Sequence, residues 1–177
     1  RRFGYVPGSV FDVTGSMLFP DEERSPWLLL SVLNSTIYHG LFLSITPERD
    51  WQIEVVGRIP WHEELDDVDE LESIAKEQYA TFASQKSSDP RHPFYVAAAL
   101  VPTAEDEAFY DSANHRARRN VETTRPAIEP DMSISEAAKE VERWDRQTRQ
   151  QIERLSNQAD ALIADALNLP EGINDEL

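Results

Sequence analysis

From Val141 to Leu169, apolar and small side chains recur at alternating spacings of three and four: Val141, Trp144, Thr148, Ile152, Leu155, Ala159, Leu162, Ala166 and Leu169. A seam of this period runs along one side of an α-helix and needs a packing surface on that side. It predicts a helix from near Ser135 to Leu169, stopped by Pro170 and Gly172. One long helix, an antiparallel helical hairpin or a coiled-coil face would each present such a seam.

A second amphipathic stretch runs from His62 to about Lys86, with Leu65, Val68, Leu71, Ile74, Ala75, Tyr79 and Phe82 at helical spacing and Ser87-Ser88-Asp89-Pro90 as its stop. Upstream, Ser25-Pro26 reads as a helix start, with Ser as N-cap and Pro in the first turn. The apolar run Trp27–Leu33 follows, and its pattern continues through Ile37, Tyr38, Leu41 and Phe42, with Gly40 as the weak point. Strand patterns are shorter. Ser9–Val13 and Ser16–Phe19 lie among the turn signals Pro7-Gly8 and Thr14-Gly15. After the turn Thr46–Asp50, Trp51–Val56 alternates as a half-buried strand would, bracketed by Gly57 and Pro60. Thr103-Ala104-Glu105-Asp106 is a capped helix start leading to Arg116-Ala117-Arg118-Arg119, and Pro126 and Pro130 mark a linker. The expected fold is α+β and mostly α: a small β unit packed with helices, plus a long C-terminal helix or helical hairpin. Three parts follow: an α+β region over 1–102, a helix and linker with a basic patch over 103–130, and a C-terminal amphipathic helix over 131–177.

Charge narrows the function classes. The 177 residues carry a formal charge of −16, and nucleic-acid binding is normally driven by Lys and Arg neutralising phosphates. Residues 61–90 hold nine acidic and two basic side chains and 131–177 hold eleven and five, whereas 1–60 hold seven and five. The first sixty residues are thus close to neutral, and a DNA-facing surface there is allowed but not demanded. With 40% hydrophobic residues a packed core is expected. There is no Cys, which excludes disulfides and thiolate metal sites and suits a cytoplasmic protein. Runs such as Trp27–Leu33 are too short to span a bilayer, so no membrane partner is expected. The start Arg1-Arg2-Phe3, without Met, fits a fragment of a longer protein, and processing or tag removal would leave the same start.

No catalytic or metal set emerges. His39, His62, His92 and His115 are scattered, and none sits at a metal-ligand spacing. The glycines at 4, 8 and 15 do not form a dinucleotide fingerprint. Asp89-Pro90-Arg91-His92-Pro93-Phe94-Tyr95 lacks the adjacent prolines of the loop with which amino methyltransferases grip a flipped base, and reads as a helix-breaking loop. The carboxylates from Glu63 to Glu72 read as a solvated helix face. Arg116, Arg118 and Arg119 are the densest basic group. They suit phosphate contacts, although ion pairing with the acidic helices is the commoner fate of such residues. Gln52 and Arg58 suit adenine and guanine edges and would share one face of an undistorted strand, with Trp51 and Ile53 facing the core. A structural hydrogen bond for Gln52 fits the same alternation.

The order of short motifs resembles the target-recognition and C-terminal region of large adenine-specific DNA methyltransferases, of type II restriction–modification and phage-growth-limitation (BREX-type) systems. In that family a glycine-rich segment precedes a helix ending in Leu-Asn-Ser, then a Pro turn, an aromatic-Gln strand and an Ile-Pro stop. Here these are Val6–Asp12, Leu33-Asn34-Ser35, Thr46-Pro47, Trp51-Gln52 and Arg58-Ile59-Pro60. Ile74–Lys86 and Ser88–Phe94 look like degenerate counterparts of the family's next helix and of its Glu-Thr-Ser-like turn, which is not intact. The family's late helix, with an acidic residue and a Leu-Val/Ile pair before a Tyr-Gly-Leu end, is similar to Ile152–Leu155, Gln158–Ile163 and Leu167-Asn168-Leu169.

The resemblance implies a DNA target-recognition and scaffold region whose parent protein transfers a methyl group from S-adenosylmethionine to adenine. The catalytic domain and the cofactor site would lie upstream, so no catalytic residue and no cofactor are assigned to this chain. DNA would be a partner through the full-length protein, with Arg49, Gln52 and Arg58 as candidates for base or backbone contacts and Arg116, Arg118 and Arg119 for phosphates. The alternative is an acidic helical module that docks another subunit or domain, or a second copy of itself, through the C-terminal helix without reading DNA. An independent hydrolase or metalloenzyme ranks third, because no nucleophile–base pair is visible.

Overall fold

A computed structural model describes residues 3–4, 18–20, 24–46, 53–91, 99–100 and 124–170. Among these residues the protein is all-α. Helix α1 spans Pro26–Leu33, α2 Thr36–Ile45, α3 Ile53–Val56, α4 Asp69–Lys86 and α5 Ile134–Ala166, with a 3-10 turn at Glu63–Asp67. The expected small β unit is not found in them. Leu18–Pro20 has no regular structure, while 9–17 lies outside the described residues. The chain divides into two compact units, 1–76 with 155–177, and 77–154.

In the first unit, Ser25 caps α1 by accepting a bond from the Trp27 amide (3.2 Å), and Pro26 occupies the first turn. The expected continuous helix through Phe42 is broken, although not at Gly40, which sits inside α2. The break is at Asn34-Ser35, where the two helix axes bend by 69°. Asn34 closes α1, its amide donating to the Leu30 carbonyl (3.0 Å). Ser35 opens α2 by accepting from the Tyr38 amide (3.2 Å) and donating its hydroxyl to the Val32 carbonyl (2.7 Å). Side chains that compete for the backbone in this way end helices. Two short apolar helices thereby fold against one core of Leu28, Val32, Ile37, Tyr38, Phe42, Leu65, Leu71, Ile74, Leu155, Ala159 and Ile163. Phe3 covers one side of it, its ring 5.6 Å from that of Phe42. Full burial of one such side chain contributes about 1.5–3 kcal/mol.

The strand expected at Trp51–Val56 is a helical turn from Ile53, continued by bonds from the Arg58 amide to Val55 (3.1 Å) and the Ile59 amide to Val56 (3.2 Å). Val55, Val56 and Ile59 all pack on the core, and positions i, i+1 and i+4 share a face in a helix. A short alternating segment satisfies both periods, and the available core surface decided between them over Ile53–Val56. The stretch from His62 to Lys86 is likewise divided, with a 3-10 turn before α4, and it ends at Lys86 as the sequence predicts.

In the second unit, α5 begins with a capping box. The Ser133 hydroxyl accepts from the Glu136 amide (3.3 Å), and the Glu136 carboxylate accepts from the Ser133 amide (3.0 Å) and hydroxyl (2.6 Å). From there the seam residues Val141 to Ala166 lie on one uninterrupted 33-residue helix, not a hairpin, and Leu169 follows its end. The preceding segment carries the buried Ile128. Its Thr124 amide donates to Ser84 Oγ on α4 (2.9 Å). Gln85 on α4 donates to Asp145 on α5 (3.2 Å), and the Gln151 amide group donates to the Glu77 carboxylate.

Candidate functional site

The densest polar arrangement in the first unit surrounds the start of α2. Asp160, on α5 and only 6% exposed, accepts from the Thr36 amide through Oδ1 and from the Thr36 hydroxyl through Oδ2, both at 2.7 Å. The carboxylate sits on one of the amides that the first turn of a helix leaves unpaired, where the helix dipole favours negative charge. One residue earlier Ser35 supplies the ordinary cap, and two residues earlier Asn34 holds the chain start. Asn34 Oδ1 accepts from the Phe3 amide (2.8 Å), and its Nδ2 donates to the Phe3 carbonyl (3.0 Å). In the same first turn of α2, the Tyr38 hydroxyl donates to the Pro60 carbonyl (3.2 Å). Burial pushes the Tyr38 phenol up to about 12, so the donor stays protonated across the physiological range.

Three sequence blocks far apart in the chain therefore meet at one helix start: Leu33-Asn34-Ser35, the Ile59-Pro60 stop, and Asp160 with Ile163 of the late helix. A fourth belongs to the same unit. The late helix closes with the Leu169 amide bonded to the Ala164 carbonyl (2.9 Å) and the Asn168 amide to Asp165 (3.0 Å), the paired bonds of a Schellman end. Asn168 takes the left-handed position, at φ 51°. Gly is the usual residue there and Asn the next most tolerant, so Leu167-Asn168-Leu169 closes a helix as Tyr-Gly-Leu would. The Asn34, Ser35, Thr36, Tyr38 and Asp160 side chains at this junction all have partners within the chain. The junction ties the start of α2 to residue 60 and to α5.

Of the residues expected to contact DNA, Arg58 lies exposed on the turn after α3. Arg49, Gln52, Arg116, Arg118 and Arg119 lie outside the described residues. The shared strand face proposed for Gln52 and Arg58 is overturned, since the chain between them is helical. Close to the exposed 3-10 turn, Arg24 lies over the Trp61 ring (5.3 Å to its centroid) and pairs with Asp66 (3.2 Å), which also accepts from the Trp61 indole (3.1 Å). This group ties residue 24 to the turn at 63–67. The periodic pattern gives no sign of Asp160 or Thr36, because a buried acid looks like any other helix carboxylate until the facing helix start is known. Comparison with family models, with curated proteins and with solved structures finds no match to this chain.

Proposed function

We propose that this chain is a target-recognition and scaffold region of an adenine-specific DNA methyltransferase from a restriction or phage-defence system. The observation that supports the reading is that Leu33, Ile59 and Ile163, from three of its motif blocks, pack in one core, with the Thr36–Asp160 and Tyr38–Pro60 bonds beside them. In this reading the parent protein works in the cytoplasm. An upstream domain binds S-adenosylmethionine and transfers its methyl group to the exocyclic amine of adenine, while the present region positions the duplex. Arg49, Gln52 and Arg58 are the candidates for base or backbone contacts, and Arg116, Arg118 and Arg119 for phosphates.

The test is methyl transfer by the full-length protein to DNA, with the modified adenines mapped by sequencing. One methylated sequence is expected, and Q52A or R58A should relax or shift it at one position. Charge reversal of Arg116, Arg118 and Arg119 should weaken binding and flatten its salt dependence. Unchanged binding across a salt series removes the phosphate assignment.

A second reading is an acidic module that docks another subunit, or a second copy, through its helices. The exposed carboxylates Glu63, Glu64, Asp67, Asp69 and Glu70 favour it, because they repel phosphate along that edge. Light scattering together with a DNA pull-down separates the two. A stable oligomer that ignores DNA supports the module and rejects the methyltransferase region.

A further inference from the structure

In the unit formed by 1–76 and 155–177, residue 3 is joined to the helices through a single side chain. Asn34 Oδ1 accepts from the Phe3 amide (2.8 Å), and Asn34 Nδ2 donates to the Phe3 carbonyl (3.0 Å). Both main-chain groups of one residue thus pair with one carboxamide, as they would with a facing strand residue that exchanges both of its bonds. Asn34 lies 31 positions further along the chain. The same Nδ2 also donates to the Leu30 carbonyl (3.0 Å), one of the carbonyls that the end of α1 leaves unpaired. One side chain therefore grips residue 3 and closes α1 at once.

The walls of this clasp belong to α1 and α2. The bond to Leu30 holds the Asn34 carboxamide at the end of its own helix. Phe42, whose ring lies 5.6 Å from that of Phe3 at a tilt of 38°, is a core residue of α2 with no exposed surface. Residue 3 is the looser partner. Phe3 is only partly buried, and Gly4 is exposed, with nothing within 4 Å of the position a Cβ would take. The backbone thus stands in open space directly after the bonded residue. Withdrawing Phe3 uncovers Phe42 and takes two of the three bonds from the Asn34 carboxamide. Ile45, three positions further along α2 and 42% exposed, would then adjoin an apolar surface that is now covered.

We propose that residue 3 is a releasable strap: its docking on Asn34 and Phe42 locks the 69° bend between α1 and α2, and its withdrawal loosens that bend without unfolding the core. The coupling follows from the shared carboxamide. Without Phe3, Asn34 loses the partners that fix its plane, and the Leu30 carbonyl it caps must turn to water. Ser35 comes next, since it opens α2 and its amide donates to the Val32 carbonyl of α1 (3.1 Å). Partly covered segments open at lower free energy than the core they lie on, so strap and bend form one local unit while the buried part of α5 stays closed. The bonds from Tyr38 to Ser35 and from Thr36 to Asp160 keep α2 in place when the strap is off. The strap does not depend on either reading of the chain's function.

The test is amide hydrogen exchange followed by NMR on the full chain. In the wild type the Phe3 amide should exchange more slowly than an unstructured amide, and at least ~10-fold faster than the Ile163 amide of the core. In Phe3→Ala the Ser35 amide should exchange ~10-fold faster than in the wild type, while Ile163 changes by less than ~3-fold. Asn34→Asp keeps an acceptor for the Phe3 amide and loses both donated bonds, so exchange should rise by ~10-fold or more at Phe3 and Ser35 together. A wild-type Phe3 amide that exchanges at the unstructured rate, or as slowly as Ile163, overturns the strap. That measurement stands even where a variant fails to fold. A Ser35 rate unchanged in folded Phe3→Ala, or Ser35 and Ile163 rates that rise by the same factor, overturns the lock on the bend.

Discussion

The two stretches of α5 share one periodic pattern and use it differently. From Leu155 onward the helix carries Leu155, Ala159 and Ile163 into an apolar core, with the buried Asp160 carboxylate bonded to Thr36. From Ile134 to Arg154 only Ala137 and Thr148 are fully buried, and polar bonds such as Gln85–Asp145 hold the helix to its neighbour. A heptad-like seam thus announces that a helix has a partner on one side. It does not announce how deeply each seam position is buried.

Four measurements would break or sharpen this contrast. The largest effect is expected from Ile163→Ala, which empties a site with no solvent exposure. A loss of about 2–5 kcal/mol in urea unfolding is expected, while Ile152→Ala, at a half-buried seam position, should cost clearly less. Equal losses would erase the distinction between the two stretches. Next comes Asp160→Ala, which leaves the Thr36 amide and hydroxyl without their acceptor. Removing two hydrogen bonds to a charged group should cost about 2–4 kcal/mol, with Asp160→Asn recovering part of it. A loss under ~0.5 kcal/mol would mean that the junction is not tied by this carboxylate.

Smaller effects probe the helix ends. Asn168→Ala should cost about 1 kcal/mol because alanine resists the left-handed region, whereas Asn168→Gly should be neutral or slightly stabilising. The reverse order of melting temperatures would reject the Schellman end. The smallest effect concerns the start of α5. Hydrogen bonds from the Ser133 hydroxyl and amide hold the Glu136 carboxyl below the usual glutamate range. A depressed folded value stabilises the helix start at pH above the unfolded value, and that contribution disappears as pH falls through the folded one. An NMR titration should show Glu136 low in the wild type and close to the usual range in Ser133→Ala. Identical titrations would rule out the capping box.

Much of the helical framework was legible in advance, for local reasons. The Ser25-Pro26 start, the stop at Lys86 and the path of α5 each follow from capping chemistry and a repeated apolar period, which neighbouring residues along the chain specify. The misreadings also had local causes. Trp51–Val56 is too short for its period to be unique, and its described part, Ile53–Val56, is helical, with Val55, Val56 and Ile59 packed on the core. Gly40 drew attention as a breaker, while Asn34 and Ser35 broke the helix with side-chain bonds to the backbone. The candidate site was legible as motif order but not as geometry. Asp160 lies 124 positions from its partner, and only the folded chain brings them together.

What belonged to the amino-acid order alone was the set of helices with long, capped and periodic patterns, together with the acidic balance that makes any basic stripe conspicuous. Tertiary structure decided where the first apolar run bends, that Ile53–Val56 becomes a helix, and that the Asp160 carboxylate is buried on the start of α2. The physical reason is one of range. Propensity and capping act within a turn or two of the chain, whereas the burial of Asp160 against Thr36 and the docking of α3 depend on surfaces that exist only after collapse.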